Sequence, residues 1–374
     1  MSIHYSAPGK LFIAGEWSIL EKGNVGLVTA VNRRVHAVVD RFNTLTGTSV
    51  CIRIRDFGIN IIGEFNGKTL NFEALTDDEK SKISFIKESI ETTFRYIKEM
   101  DVHPKSFMIE TWGEDTNLVV DGKQQKVGFG SSAAAVVATV AAVLKYHDIE
   151  PKKDLVYKLS MIVHYFAQGK VGSGFDVATS TYGGYFSYIA PDTEWITSEI
   201  CKGNINNVVA QEWPLLYIEH LEPPVNCKFI IAWTKSSSDT REMIKSVKEW
   251  AKLNPDVYQQ SIRRIGSAAF AVVEAWKTGD QKLILNCIKE SRIALSDFTK
   301  ESGQLIETQD LAMLADIAES FGAAGKLSGA GGGDCGFAIC FDDSTASKIR
   351  NKWGEYGLYP LDVIVDMEGI KEEK

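Results

Sequence analysis

A glycine-serine turn that leads directly into an apolar helix constrains this chain more than any other feature of its sequence. Residues 127–135 are Val-Gly-Phe-Gly-Ser-Ser-Ala-Ala-Ala, and the pattern predicts a helix over Ser132–Tyr146. Glycine lets a ligand approach the backbone closely, and a helix start presents unbonded N–H groups at its positive end. The segment therefore predicts a phosphate cradle, although a tight turn with serine as the helix N-cap explains the same residues equally well.

Two common nucleotide-binding motifs do not fit this turn. A Walker A loop needs a lysine directly after the glycines, and a dinucleotide fingerprint needs a third glycine and an acidic residue beyond the next strand. The sequence around residues 128–133 supplies neither. A P-loop is thereby excluded, and a dinucleotide-binding dehydrogenase is only a distant alternative.

Three further segments suggest contact with anionic ligands. Residues 328–336 carry five glycines in nine positions, a composition that costs conformational entropy and favours a neighbouring ligand over a flexible hinge. Residues 168–178 place Asp176 at the end of a glycine-serine loop, where its carboxylate either faces a cleft or caps the next element. Near the start of the chain, a Pro-Gly turn leads to Lys10, whose ammonium group meets either anionic oxygens or solvent.

The composition is that of a globular protein and excludes several classes. The 374 residues include 41 Lys plus Arg against 49 Asp plus Glu, and the net charge of −8 argues against a nucleic-acid binder. The longest strongly apolar run, Ala133–Leu144, is 12 residues long, which is too short to cross a membrane. Six scattered cysteines indicate neither zinc nor disulfides, and Met1–Tyr5 shows no secretory pattern. We therefore expect a cytoplasmic protein.

The order of predicted elements indicates an α+β protein with two domains. The early elements are predicted strands over Lys10–Ala14, Gly26–Asp40 and Cys51–Ile62 and a predicted helix over Asp77–Glu99. Asp154 is the predicted N-cap of a second core helix. Pro223-Pro224 interrupts regular structure, so we predict domains of residues 1–222 and 223–374.

The four segments, in this order, resemble the GHMP kinase superfamily over nearly the full chain. Pro8-Gly9-Lys10 with Gly15-Glu16 is similar to the first superfamily motif, residues 128–133 to the second, and residues 329–334 to the third. Within the superfamily, residues 167–178 with Tyr182-Gly183, and residues 232–237, resemble the phosphomevalonate kinases. The resemblance implies a ribosomal protein S5 domain 2-like N-terminal domain and a ferredoxin-like C-terminal domain. It also implies phosphoryl transfer from ATP to 5-phosphomevalonate, a step in making isoprenoid precursors.

The resemblance and the chemistry of phosphoryl transfer together predict roles for the motif residues. Lys10 is predicted to bridge the incoming and transferred phosphates. Asp176 is predicted to orient the acceptor, because a phosphate monoester is already largely dianionic near neutral pH and needs no strong base. Mg²⁺ is predicted to be held mainly by Ser132, ATP oxygens and water.

The predicted binding residues form two sets. ATP is predicted to lie on Gly128, Phe129, Gly130, Ser131, Ser132 and Ala133. The acceptor is predicted to lie on Lys126, Ser173, Gly174, Lys235, Ser236, Gly329, Ala330 and Gly331. Lys126 is equally well explained as a solvated loop residue.

The chain departs from the mevalonate kinase pattern at three places. Trp17 stands where those enzymes have histidine, and Gln124 stands where a proline is common before the second motif. Residues 163–168 lack the glutamate that helps hold magnesium in mevalonate kinases. The identity of a second metal ligand therefore stays open.

Several alternatives share the predicted fold. They are mevalonate kinase, diphosphomevalonate decarboxylase or another GHMP small-molecule enzyme, and a non-catalytic ligand sensor. The presence of both Lys10 and Asp176 argues against a sensor. We expect small-molecule partners, no nucleic acid, no membrane, and a monomer or homodimer.

Overall fold

The computed structural model describes residues 2–43, 47–114, 117–120, 123–169, 172–236 and 240–374, with the backbone alone for 117–120, 123–126 and 241. The described strands are β1 Ile3–Ala14, β2 Val25–Arg41, β3 Thr48–Ile54, β4 Ile59–Phe65, β5 Leu70–Phe72, β6 Phe107–Gly113, β7 Asn117–Val120, β8 Lys123–Lys126, β9 Tyr185–Ile189, β10 Tyr217–Leu221, β11 Lys228–Trp233, β12 Ala324–Leu327, β13 Cys335–Cys340, β14 Tyr359–Leu361 and β15 Lys371–Glu372. The described α-helices are α1 Asp77–Glu99, α2 Ser131–Tyr146, α3 Lys153–Ala167, α4 Phe175–Tyr182, α5 Thr193–Cys201, α6 Ile205–Ala210, α7 Thr240–Leu253, α8 Pro255–Thr278, α9 Gln281–Ser302, α10 Gln309–Ser320 and α11 Asp343–Glu355.

The larger sheet is built around β2, a valine-rich strand of 17 residues. It pairs antiparallel with β1 from Ile3↔Val39 to Ala14↔Leu27. On its other edge the first half of β2 pairs with β9 and the second half with β6. The sheet order is β10-β9-β2-β6-β3-β4-β5, and β1 lies off this path and pairs with β2, where Lys10 is opposite Ala30.

Helix α2 lies in the core of the N-terminal half. Its residues from Val136 to Leu144 are fully buried, and they pack with residues of α1 and α3 and of the sheet, such as Ala37. A helix that is buried on all sides is apolar on all sides, which explains the alanine and valine content. In the part of the chain that the structure describes, no helix is long and apolar enough to cross a membrane.

The smaller sheet has the order β12-β13-β11-β14 and is antiparallel throughout. With helices between β11 and β12 and between β13 and β14, this is a ferredoxin-like arrangement. Alternate residues face opposite sides: Ile231 and Trp233 face α8 and α9, whereas Ile230 and Ala232 face α10 and α11. Helices α8 and α9 thereby fill the space between the two sheets.

The end of the chain returns to the N-terminal half. β15 pairs with β1 through Tyr5↔Glu372, and Val365 forms a bridge with Val31. Arg34 and Asp366 form an ion pair that is almost fully buried. The predicted domain boundary between residues 222 and 223 stays a prediction. One buried hydrophobic cluster contains residues from both sides of it, such as Leu27 and Ile231.

Two local predictions were wrong. The segment Cys51–Ile62 is not one strand, because a short 3₁₀ turn ends at Gly58 with φ of 63° and reverses the chain between β3 and β4. Asp154 is not an N-cap, because α3 begins one residue earlier and its N-cap is Lys152. The Asp154 carboxylate instead accepts a hydrogen bond from the Tyr182 hydroxyl.

Candidate active site

The predicted segments meet at one cleft between the two halves of the molecule. Its volume is about 780 Å³, and each of the four segments contributes to its wall. The predicted site residues that line it are Lys10, Gly128, Gly130, Ser131, Ser132, Ser173, Gly174, Asp176, Gly329, Ala330 and Gly331. Further lining residues that the motifs did not single out are Phe12, Ile19, Leu20, Phe85, Thr240 and Ile244.

The first glycine loop ends in an open helix start. Gly130 is the residue before α2, with φ of 75°, so neither serine is the N-cap. Within the described residues, the backbone N–H groups of residues 130–133 have no acceptor. These groups lie at the positive end of the α2 dipole, an arrangement that suits phosphate oxygens.

Two residues predicted to bind ATP do not line the cleft with their side chains. Phe129 and Ala133 are buried in the core. The backbone of Phe129 helps to position the loop, because its carbonyl accepts a 2.8 Å hydrogen bond from the Lys10 N–H. This bond ties the loop to β1.

Lys10 lies across the first glycine loop. Its ammonium group donates to the Gly128 carbonyl at 3.1 Å and lies 5.8 Å from the centre of the Phe175 ring. A Cβ atom at Gly130 would lie 2.9 Å from the Lys10 Cγ. Glycine is therefore required at position 130 both for its backbone conformation and for the path of the lysine.

Asp176 lies in the first turn of α4, opposite the start of α2. Its Oδ1 accepts from the Val177 N–H at 2.9 Å, and its Oδ2 lies 3.6 Å from the Nε2 of His164. The same His164 atom lies 3.4 Å from the Ser132 hydroxyl. Our sequence reasoning missed His164, whose position on the helix before the Asp176 loop was the available signal.

The third glycine loop is hydrogen-bonded to both halves of the molecule. The Phe12 N–H donates to the Ser328 hydroxyl at 2.8 Å, and the Trp17 indole donates to the Ala330 carbonyl at 3.2 Å. Asp334 accepts from the Gly128 N–H at 3.0 Å. Burial raises the pKa of the Asp334 carboxyl, whereas the Gly128 N–H and the Lys10 charge act in the opposite direction. The loop thereby forms a fixed wall of the cleft.

A buried ion pair lies next to the third loop, on the strand that precedes it. Lys326 of β12 pairs with Glu16, and it also donates to the carbonyls of Ile13 and Leu327 at 3.2 and 3.0 Å. Both charged side chains are almost completely buried. Burial lowers the pKa of Lys326, and the neighbouring Glu16 carboxylate opposes that effect.

The residues predicted to bind the acceptor divide into three groups. Ser173 lines the cleft, and its hydroxyl is buried with no hydrogen-bond partner in the described chain. Lys235 and Ser236 are exposed and do not line the cleft, although the Ser236 carbonyl accepts from the Asp334 N–H. The side chain of Lys126 lies outside the described residues. The substrate roles of these residues stay predictions.

Comparisons with known proteins agree with this geometry. The GHMP kinases N terminal domain model matches residues 86–184, and the GHMP kinases C terminal model matches residues 266–357. The phosphomevalonate kinase of Streptomyces sp. strain CL190 is 30% identical over 97% of each chain. This chain belongs to the phosphomevalonate kinase family of the GHMP kinases. The predicted superfamily and the resemblance to phosphomevalonate kinases are confirmed.

Solved structures of similar fold include members of this kinase family. A Listeria innocua protein is 28% identical, with a TM-score of 0.89 and full coverage of both chains. A Streptococcus pneumoniae phosphomevalonate kinase, solved with phosphomevalonate and AMPPNP, is 24% identical, with a TM-score of 0.80 over 98% of this chain and 99% of the other. The predicted GHMP kinase fold is therefore confirmed.

Proposed function

We propose that the protein transfers the γ-phosphoryl group of ATP to the phosphate of (R)-5-phosphomevalonate, giving 5-diphosphomevalonate and ADP. The observation that carries this proposal is the convergence of Lys10, Asp176 and the open start of α2 on one cleft. Membership of the phosphomevalonate kinase family supports the choice of acceptor. The S. pneumoniae relative, which has this fold, binds phosphomevalonate and an ATP analogue.

The first glycine loop provides the site for the ATP phosphates. Phosphoryl transfer needs positioning and charge neutralisation more than covalent help from the protein. The N–H groups of residues 130–133, which have no acceptor among the described residues, can meet phosphate oxygens without first breaking a described hydrogen bond. Lys10, which crosses this loop, stabilises the negative charge that develops between the transferred phosphoryl group and its neighbours.

Asp176 orients the acceptor rather than acting as a strong base. The second pKa of a phosphate monoester is about 6, so the attacking oxygen is already deprotonated near neutral pH. The Asp176 carboxylate lines the cleft, and its Oδ2 lies 3.6 Å from the His164 Nε2, which is 3.4 Å from the Ser132 hydroxyl at the start of α2. It therefore fixes the geometry of attack.

The donor atoms present fit a hydrated magnesium ion. In the described chain, no group of three or more His, Cys, Asp or Glu side chains is arranged to hold a metal. Magnesium keeps much of its water and takes few protein ligands when it binds with a nucleotide. Ser132 would hold it together with phosphate oxygens, and the ion would neutralise charge on the phosphates.

The acceptor-binding residues are proposed from position and from unmet hydrogen bonds. Ser173 lines the cleft, and its buried hydroxyl has no partner among the described residues, so a ligand that reached it would add a hydrogen bond. Gly174, Gly329, Ala330 and Gly331 line the same cleft. Lys126, Lys235 and Ser236 are proposed as contacts with the anionic groups of the acceptor on the sequence resemblance alone, since Lys235 and Ser236 do not line the cleft and the Lys126 side chain lies outside the described residues. We also propose that the enzyme works in the cytoplasm as a monomer or homodimer.

An acceptor panel tests the proposed function. Purified protein with MgATP is offered 5-phosphomevalonate, mevalonate, 5-diphosphomevalonate and galactose, and ADP release is followed with a coupled assay. We expect turnover with 5-phosphomevalonate alone and a diphosphate product by mass spectrometry. Turnover of mevalonate but not 5-phosphomevalonate would replace this assignment with mevalonate kinase. Tight binding of both substrates without product would identify a sensor.

A further inference from the structure

The loop that leads into α4 is held by the side chain of one buried tyrosine. The Tyr188 hydroxyl donates to the Ser173 carbonyl at 2.8 Å. Among the described residues, this is the only hydrogen bond to the backbone of Gly172 or Ser173. The position of Ser173, and with it the start of the helix that carries Asp176, therefore depends on this bond.

The loop lies directly against the Tyr188 side chain. A Cβ atom at Gly174 would overlap the Met161 sulfur and would lie 3.5 Å from the Tyr188 hydroxyl oxygen. Gly174 is the residue before α4, with φ of 74°, a conformation that favours glycine. Asp176 is the second residue of that helix. A shift of the loop away from Tyr188 would therefore move the Asp176 carboxylate as well.

The hydroxyl protons of two tyrosines have fixed directions here. The Tyr157 hydroxyl, on α3, lies 3.0 Å from the Tyr188 hydroxyl. A carbonyl oxygen only accepts, so the single Tyr188 proton is used on Ser173 and Tyr157 donates to the Tyr188 oxygen. Both side chains are fully buried. Burial raises the pKa of both hydroxyls above the ordinary tyrosine value, so both keep their protons at neutral pH.

Packing alone does not explain a hydroxyl at position 188. Phe186, two residues earlier on β9, packs in the same buried cluster without one. A buried hydroxyl costs free energy unless it is hydrogen-bonded, and both hydroxyls of this pair are bonded. Tyr188 lies inside the larger sheet, opposite Gly26 of β2 and Ile218 of β10. A strand fixed on both edges thereby holds a loop that has few hydrogen bonds of its own.

We propose that Tyr188 is a positioning residue whose hydroxyl, itself oriented by Tyr157, holds the Ser173 carbonyl and so places the Ser173 hydroxyl and the Asp176 carboxylate for the acceptor. This inference rests on the proposed function, because it assumes that these two groups meet the acceptor rather than ATP. Tyr188 does not line the cleft, so it acts through the backbone of the loop. The nucleotide phosphates, which we place on the first glycine loop, should not depend on it.

Three tyrosine-to-phenylalanine substitutions separate positioning from packing. Tyr188→Phe removes the bond to Ser173, whereas Tyr157→Phe removes an equally buried hydroxyl and leaves that bond in place. Tyr185→Phe, also on β9, is the control, because the Tyr185 side chain is buried and its hydroxyl has no hydrogen bond in the described chain. Thermal denaturation of each variant reports any loss of folding separately.

Steady-state kinetics at saturating MgATP measure the effect on the acceptor. A displacement of reacting groups by about 1 Å can cost roughly a hundredfold in rate. We therefore expect kcat/KM for 5-phosphomevalonate to fall roughly ten- to a hundredfold in Tyr188→Phe, less in Tyr157→Phe, and not at all in Tyr185→Phe. ATP affinity, measured by titration calorimetry, should not change in any of the three.

Hydrogen exchange gives a readout that does not depend on turnover. Without substrate, peptides that cover residues 172–182 should exchange faster in Tyr188→Phe than in wild type, and peptides that cover α2 should not. Tyr185→Phe should match wild type in both.

Wild-type kcat/KM in Tyr188→Phe, or unchanged exchange at residues 172–182, would overturn the inference. So would an equal loss of kcat/KM in Tyr157→Phe, or a parallel loss of ATP affinity, because the effect would then be general. If wild type does not use 5-phosphomevalonate, the proposed function fails, while the exchange comparison still tests whether Tyr188 holds the loop.

Discussion

The first glycine loop, residues 128–133, and the third, residues 328–334, meet in the same cleft but use their backbones differently. In the first loop, the N–H groups of residues 130–133 donate to no described residue. In the third loop, Gly332 donates to the Ile306 carbonyl, and the Ala330 carbonyl accepts from Trp17. The first loop therefore keeps open N–H groups at the cleft, whereas the third loop is hydrogen-bonded to other parts of the molecule.

The comparison shows that the glycine content of a loop does not predict whether its backbone N–H groups are open or hydrogen-bonded within the protein. Both loops contain residues with positive φ, and both look like phosphate cradles in sequence. The difference lies in where the backbone hydrogen bonds go. Changes in the third loop should therefore lower stability, and changes around the first should lower activity at unchanged stability.

The largest expected effect is a loss of stability in the third loop. A Cβ atom at Gly331 would lie 2.2 Å from the Ile306 carbonyl oxygen, and φ is 84°. Gly331→Ala should lower the free energy of unfolding by about 3 kcal/mol, measured by urea denaturation. Gly329→Ala is the matched control, because φ is 90° but no atom lies within 4 Å; it should cost about 1 kcal/mol. Equal losses would contradict a role of the third loop in stability.

The next effect concerns activity at the first loop. Lys10→Met and Asp176→Asn should each raise the barrier to turnover by more than about 2 kcal/mol, or roughly thirtyfold in kcat. The reason is that both groups line the cleft, where we propose that the reacting phosphates bind, and neither lies in the hydrophobic core. Steady-state kinetics and thermal denaturation measure the two quantities. Lys68→Met, at an exposed position, is the control. Near-normal turnover in both variants would reject the proposed roles.

A smaller effect is expected for the hydroxyl at the helix start. Ser132→Ala should raise the magnesium concentration needed for half-maximal turnover several-fold, because it removes the oxygen that we propose as a magnesium ligand. The melting temperature should not change, since neither serine caps α2. Ser347→Ala, on the exposed side of α11, serves for comparison. An unchanged magnesium titration would remove Ser132 from the metal site.

The hydrogen bond from the Trp17 indole to the Ala330 carbonyl can be removed by a single substitution. Trp17→Phe removes the indole N–H that donates to Ala330 and should lower the free energy of unfolding by about 1 kcal/mol beyond the packing loss. Trp250→Phe is a suitable control, because both indoles pack on Phe298 with ring centres 5.7 and 5.9 Å away. The Trp250 indole N–H has no hydrogen bond in the described chain. Equal losses in urea would show that the bond contributes nothing.

The smallest effect concerns the far end of α2, which carries the first loop. Burial lowers the pKa of His147 to about 4, from about 6.5 in the unfolded chain. The unfolded state therefore binds more protons between these values, so stability falls as pH falls through this range. At pH 6 the loss should be about 1 kcal/mol or less. His147→Gln should show a flatter dependence between pH 7.5 and 6; an identical slope would assign the effect to other groups.

The sequence identified the chemical groups of the site better than their connections. Lys10, Asp176 and residues 128–133 were predicted and do line one cleft, apart from Phe129 and Ala133, which are in the core. His164 was not predicted, because its position on the helix before the Asp176 loop indicates that it lies near the site but not which groups it contacts. The alternative of serine as the N-cap of α2 also failed, since Gly130 takes that position.

Composition and residue order by themselves determined the class of protein, the glycine turns and the family, because these depend on local backbone preferences and on motifs that are contiguous in the chain. Only the tertiary structure decided which loop keeps its N–H groups open and which is hydrogen-bonded to the rest of the molecule. That distinction depends on partners such as Trp17 with Ala330, which are 313 residues apart. Hydrogen bonds between such distant residues are made by the packing of the two halves and leave no periodic trace in the sequence.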